Sequence, residues 1–236
     1  MQNLKPTLTW ESEVAKFEKF VQNQKAAIPA KDFDENYFTG EWRHGNQSYT
    51  LASRREIEGK NPNLIKSVLT PKNILDAGCG PGFLMLMLHE LGVEVSGIDA
   101  APAAVAGVPK EINDKIRLGS VLNLPFQDQE FDVVISREVL EHLTVIEVAK
   151  AVREMCRVSS RIVYITTRFA RQAESIFDVE TEFEADPTHI TCMNKSLLRT
   201  LLVLEGFKAR PDLEIEMDWM QKDRALVYER TEKVLI

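Results

Sequence analysis

Between Ile74 and Phe83 an apolar run leads into three alternating glycines: Ile74, Leu75, Asp76, Ala77, Gly78, Cys79, Gly80, Pro81, Gly82, Phe83. The apolar run predicts a buried strand, and the stretch from Phe83 to Leu91 predicts a helix, so one turns directly into the other. Glycine serves where the backbone must bend sharply or where a ligand must touch it. Such a turn aims backbone N–H groups and the positive end of a helix at whatever lies above the strand. In an open parallel sheet that point, at the carboxyl ends of the strands, is where ligands bind.

The rest of the chain fits such a sheet. Short apolar runs recur at 93–98, 116–118, 131–136 and 162–166, with helix-like stretches at 146–156 and 195–205. Strands alternating with helices mean βαβ units, parallel strands and right-handed crossovers. Two more strands are expected at 207–215 and 225–230, joined without a helix and paired antiparallel. The fold class is therefore α/β, a doubly wound and mostly parallel seven-stranded sheet with helices on both faces and an antiparallel last strand. The core should occupy residues 71–236, with a substrate-side insertion at 169–193. Residues 1–70 should form a helical cap. Trp10, Val14, Phe17 and Val21 share one helical face, and Phe33, Tyr37, Phe38, Trp42 and Tyr49 crowd a polar stretch where a lid is expected.

A glycine turn alone says little about its ligand. Asp99, at the end of the next strand, says more, because an acid about 20 residues beyond the turn can take both hydroxyls of a ribose. The ligand then contains a nucleoside. Dinucleotide folds use GxGxxG, whereas this loop is GxGxG preceded by Asp76. A carboxylate there is ill suited to a pyrophosphate and suits a cationic ligand such as a sulfonium with an amino group. No GK[ST] follows, so the loop is not a P-loop.

In these residues the chain resembles the class I methyltransferases that use S-adenosylmethionine (SAM), closely over 74–168 and loosely beyond. The resemblance implies SAM as cofactor, leaving as S-adenosylhomocysteine. It implies cofactor contacts from Asp76, Ala77, Gly78, Cys79, Gly80, Gly82 and Phe83, and from Asp99 and Ala100. Ser120, Val121 and Leu122 would follow at the adenine, and Ser136 and Arg137 beside the methyl group. The family often has Asp where Ser120 stands; serine still bonds an adenine amino group.

Methyl transfer from a sulfonium needs no enzyme nucleophile, only positioning and, for a hydroxyl acceptor, a base. Ser136, Arg137, Glu138, Val139, Leu140, Glu141 and His142 form the most suggestive run. As a helical turn it would put Glu138, Glu141 and His142 on one face, to hold a divalent cation or supply a base. The run resembles that of the ubiquinone-pathway O-methyltransferases, where such a trio binds a metal. Equally, both acids could sit at a favourable helix N-terminus with His142 packed under the cap. His189 follows in the insertion, where a histidine recurs in small-molecule methyltransferases. The catalytic candidates are thus His142, His189 and Glu141; no metal ligand is assigned, and a histidine base without metal is preferred. Arg168 and Arg171 could clamp an anionic group or be plain surface charges. The alternating acids of 178–186 fit an edge strand.

The acceptor expected is a small molecule. Acidic residues outnumber Lys and Arg by 36 to 29, for a net charge of −7, which argues against a nucleic-acid partner. Tyr37, Phe38, Thr39 and Gly40 resemble stretches in methyltransferases of glycan and secondary-metabolite pathways, pointing to a hydroxyl. Alternatives are an N-methyltransferase on an amine, protein side chain or RNA base, and a silent SAM-binding partner subunit. Three scattered cysteines, Cys79, Cys156 and Cys192, fit a reducing cytoplasm. No apolar run is long enough for a membrane span, and the oligomeric state is left open.

Overall fold

The computed structural model describes residues 18, 21–22, 24–25, 27–39, 49–169, 188–191, 193–220 and 223–231. Trp10, Val14, Phe17, Trp42, Arg171, Cys192 and the acidic run 178–186 lie outside the described residues.

Seven strands form one sheet in the order β3-β2-β1-β4-β5-β7-β6. β1 (Asn73–Ala77), β2 (Glu94–Asp99), β3 (Ile116–Leu118), β4 (Phe131–Arg137) and β5 (Ser159–Thr166) run parallel. β7 (Ala225–Arg230) enters antiparallel between β5 and β6 (Phe207–Ala209). The chain leaves β1 in one direction for β2 and β3 and later returns to its other side with β4. The crevice where strand order reverses therefore opens above the carboxyl ends of β1 and β4.

The central strands are apolar on both faces, and two core clusters account for this. One packs Val134, Val163 and Leu226 against α6 (Val145–Val158) and α7 (Lys195–Leu204). The other packs Ile74, Val133 and Ile135 against α4 (Phe83–Glu90), α3 (Asn61–Leu64) and the wider turn Ile65–Leu69 that continues it. Thr144 and Glu147 close a reciprocal capping box that fixes the start of α6.

Between β6 and β7 the structure departs from the sequence expectation of an uninterrupted strand over 207–215. The strand ends at Ala209 and Pro211 opens a helix, α8 (Pro211–Met217). Proline is pre-shaped for a first helical position, and Asp212 and Glu214 favour its N-terminus. α8 buries Met217 and Glu214 against the sheet.

The remaining described helices are α1 (Glu35–Thr39), α2 (Leu51–Glu58) and α5 (Pro102–Ala106). Gln24 ties the N-terminal segment to the core. Its side-chain oxygen accepts from Val145 N at 2.6 Å, and its amide donates to Thr191 Oγ1 at 2.9 Å. Among the described residues no helix is long and apolar enough to cross a membrane.

Candidate cofactor and acceptor site

A cavity of about 720 Å³ lies above the switch point. Its floor is the glycine loop. The N–H groups of Gly78 and Cys79 both reach Ile98 O, at 2.8 and 3.1 Å, pinning the loop to β2. Gly78 has φ +85°, and a Cβ there would come within 2.4 Å of Val139 Cγ2. Only glycine lets the ends of β1 and β4 approach so closely. At Gly80, φ +55°, a Cβ would project into the space beneath Phe38 and Tyr49, 3.7 Å from each. A side chain there would fill the room a ligand needs.

Asp99 is held ready on the same floor. One carboxylate oxygen accepts from Gly80 N at 2.7 Å and the other from Ala101 N at 2.8 Å. Each oxygen keeps lone-pair capacity for a pair of hydroxyls. Cys79, Phe83, Ala100, Ser120, Val121 and Leu122 also line the cavity, and Ser120 Oγ accepts from Leu122 N at 3.1 Å. Ala77, Gly82 and Ser136 lie behind this lining. Ser136 is buried and donates to Ala77 O at 2.9 Å, linking β4 to β1.

Asp76 lies in the same wall, 4% exposed. Burial pushes its carboxyl up to about 7, while Arg137 pulls the other way. Because this value lies above the ordinary 3.8, the unliganded fold loses stability as pH rises from about 4 to about 7. A cationic ligand would reverse this by favouring the carboxylate. Calorimetry at about pH 6 in buffers of different ionisation heat should show proton release on SAM binding, vanishing near pH 8.5. Asp76→Asn should abolish that release, and an unchanged proton count would separate Asp76 from the ligand.

The run after β4 is not one helical turn. Glu138 adopts φ +54°, its N–H donates to Thr166 O at 2.8 Å, and a 3₁₀ turn spans Leu140–His142. The Glu138 carboxylate meets Arg224 Nη1 at 3.2 Å and Arg168 Nε at 3.5 Å. Glu138, Glu141 and His142 therefore share no face, and Glu138 is committed to arginines rather than to a metal.

The structure instead gathers Glu141, His142 and His189, each offering a ligand atom within 4.8 Å of the others. The 188–191 segment is laced to the 3₁₀ turn, since Ile190 N and Thr191 N both donate to Glu141 O, at 2.9 and 3.0 Å. His142 Nδ1 lies 3.2 Å from Thr188 O and 2.9 Å from its hydroxyl. The two imidazole centroids are 4.8 Å apart, and Phe33 stands edge-on to His142 at 5.2 Å. Glu141 is buried, and its Oε2 accepts from Thr167 Oγ1 at 2.8 Å. Burial and the nearby Glu138 push its carboxyl up to about 8.

The comparisons with known proteins agree with this geometry. Residues 75–162 match the family model described as a methyltransferase domain. The matched residues include the glycine loop, Asp99 and the run after β4. It is 37% identical over 98 residues to norajmaline N-methyltransferase of Rauvolfia serpentina, covering 38% of this chain and 33% of that protein. It is 34% identical over 93 residues to a ubiquinone biosynthesis O-methyltransferase of Methylobacterium nodulans, covering 36% of this chain and 35% of that protein. A crystal structure of magnesium protoporphyrin IX methyltransferase from Synechocystis, with S-adenosylhomocysteine bound, superposes with TM-score 0.58 at 16% identity. That match spans 85% of this chain and 98% of the other. The chain spans about a third of the length of these two curated relatives.

The residues present fit SAM, whose product S-adenosylhomocysteine is bound in the Synechocystis structure. The open space over Gly80, the oriented Asp99 and the buried Asp76 suit a backbone approach, a ribose and a cation in turn. The sequence missed Arg54, Glu58 and Gln24. Arg54 and Glu58 carried one signal, the i, i+4 spacing of an ion pair on a helix, but their burial was not visible.

Proposed function

We propose that this chain is a SAM-dependent methyltransferase that methylates a hydroxyl on a small molecule, with His142 as the base and His189 and Glu141 beside it. The carrying observation is the continuity of the cavity, which runs from the glycine loop and Asp99 to His142 and His189 under Phe33, Tyr37 and Phe38. About 720 Å³ is the size of a small-molecule site, and the aromatic cover favours a compact acceptor over a folded macromolecule. When bound, SAM supplies an electrophilic methyl group. The protein's part is to hold the acceptor oxygen in line, exclude water and receive its proton on an imidazole. Of the two Nδ1 contacts, the Thr188 hydroxyl at 2.9 Å can donate or accept, whereas the Thr188 carbonyl at 3.2 Å can only accept. The carbonyl therefore favours the tautomer with hydrogen on Nδ1 and the lone pair on Nε2.

A second reading rests on the same cluster. Glu141 Oε1 is buried without a hydrogen-bond partner among the described residues, so Glu141, His142 and His189 could hold a divalent cation that polarises the acceptor. The N- and O-methyltransferase relatives leave acceptor chemistry open, because they align over little more than the cofactor domain. Transfer of labelled methyl from SAM to a panel of phenols, sugars and amines, with and without chelator, tests both readings. The expected result is transfer to a hydroxylated acceptor, indifferent to chelator. Transfer confined to amines would overturn the hydroxyl assignment, and activity lost to chelator and restored by a divalent ion would replace the base with the metal.

A further inference from the structure

β4 and β5 end where β7 begins, and each strand brings a charge to the cavity there. Glu138 follows β4, Arg168 lies just beyond β5, and Arg224 precedes β7. Thr166 of β5 pairs with Ala225 of β7, which sets the two arginines side by side. All three charged side chains line the cavity. Glu138 has φ +54°, a left-handed backbone that non-glycine residues adopt at a cost and that gathers at ligand clamps.

Both guanidiniums meet Glu138 through one oxygen, Oε2, with Arg224 Nη1 at 3.2 Å and Arg168 Nε at 3.5 Å. A charge-assisted bond is about 2.7–2.9 Å long, so these contacts are loose, and Glu138 grips neither fork in two bonds. Elsewhere this chain pairs arginine with acid differently. Arg161 holds Asp132 through two bonds of 2.9 and 2.6 Å. Arg210 holds Asp212 through two of 3.0 and 2.6 Å. A simpler role for Glu138 is to fasten the three strand ends. A loose, partly exposed pair fastens little, and the sheet ladder already joins those ends.

Asp218 also faces this space. Glu138 and Asp218 thus balance the two arginines, and an arriving anion must take the place that Glu138 holds loosely. We propose that Arg168 and Arg224 bind a carboxylate of the methyl acceptor, and that Glu138 is its stand-in, turning aside when the acceptor's two oxygens take the forks. The proposal deepens the methyltransferase reading above and rests on it. Two acids close by repel a phosphate dianion more than a singly charged carboxylate. The histidine cluster adjoins the arginines, because Thr167, next to Arg168, donates its hydroxyl to Glu141 Oε2 at 2.8 Å. That neighbourhood suits a compact hydroxylated acid.

The test is transfer of labelled methyl from SAM to hydroxybenzoic, hydroxycinnamic and uronic acids, each beside its primary amide. In at least one pair the acid should be preferred by about 10- to 100-fold in kcat/KM, the value of a charge-assisted hydrogen bond. Arg224→Met should bring that ratio towards unity by slowing the acid. Arg224→Lys keeps the charge without the fork and should fall between. Arg168→Met carries the comparison if thermal melting shows Arg224→Met unfolded. Glu138→Gln should raise the preference for the acid, whereas loss of a strand fastener would lower the melting temperature and leave the ratio alone. A ratio at or below the parent's in Glu138→Gln overturns the stand-in. Amides that match their acids in every pair, or arginine variants that keep the parent ratio, overturn the carboxylate site. Faster transfer to hydroxyphenyl phosphates replaces the carboxylate with a phosphate. Transfer to neutral phenols or sugars alone overturns the acid and leaves the methyltransferase reading standing. A parent that binds no SAM in calorimetry and methylates nothing overturns that reading as well.

Discussion

His142→Ala is expected to lower turnover by about 10²–10⁴-fold, the range for a lost general base, while SAM affinity stays at the parent level. The two quantities separate because His142 sits at the acceptor end of the cavity. Its ring is set by Thr188 through Nδ1 and braced by Phe33 and Tyr37. The cofactor floor is built from β1, β2 and their loops. Single-turnover kinetics should place the loss in the chemical step, and the rising limb of the pH–rate profile should disappear with the imidazole. His189→Ala should cost less, through the packing of the neighbouring ring. If His189→Ala costs more than His142→Ala, the proton goes to His189. If neither substitution matters, positioning alone carries the reaction and the acceptor is already nucleophilic, as an amine would be.

Asp99→Ala is expected to weaken SAM binding by about 10- to 150-fold, the loss of one charge-assisted hydrogen bond of about 1.5–3 kcal/mol. The structure places the full value within reach, because the carboxylate is already fixed by Gly80 N and Ala101 N. No side-chain freedom remains to be lost on binding. Removing it also frees the Gly80 N–H, so the loop itself loosens. Asp99→Asn should keep one acceptor and fall between. Calorimetry with S-adenosylhomocysteine gives the number, and an Asp99→Ala protein binding like the parent would sink the ribose assignment.

The cofactor half of the molecule was legible because its chemistry is local. Gly78, Gly80, Asp76 and Asp99 lie within about one βαβ unit, and their spacing reports a turn and the strand beside it. The acceptor half depends on contacts no spacing encodes. Glu138 takes a left-handed backbone without being glycine, so a helical turn was the natural expectation and a false one. His142 meets His189 only because 188–191 folds back onto the 3₁₀ turn. At 207–215 the alternation of apolar and polar residues imitated a strand, and the signal passed over was Pro211 followed by Asp212 and Glu214. Burial hid the rest. Arg54 and Glu58 look like an ordinary surface pair until Arg137 arrives from a strand some eighty residues away.

The placement of β7 has a consequence for how the protein can be made. β6 precedes it in sequence, yet among the described residues β6 bonds only to β7, and β7 joins β6 to β5. During synthesis β6 leaves the ribosome with no strand to pair with and must wait for Ala225–Arg230 to follow. Until then β5, whose residues Tyr164 and Ile165 end up fully enclosed, presents an unpaired edge open to misassociation. A nascent chain halted before Ala225 would lack two strands, not one, and should be markedly more sensitive to protease than a chain released a few residues later.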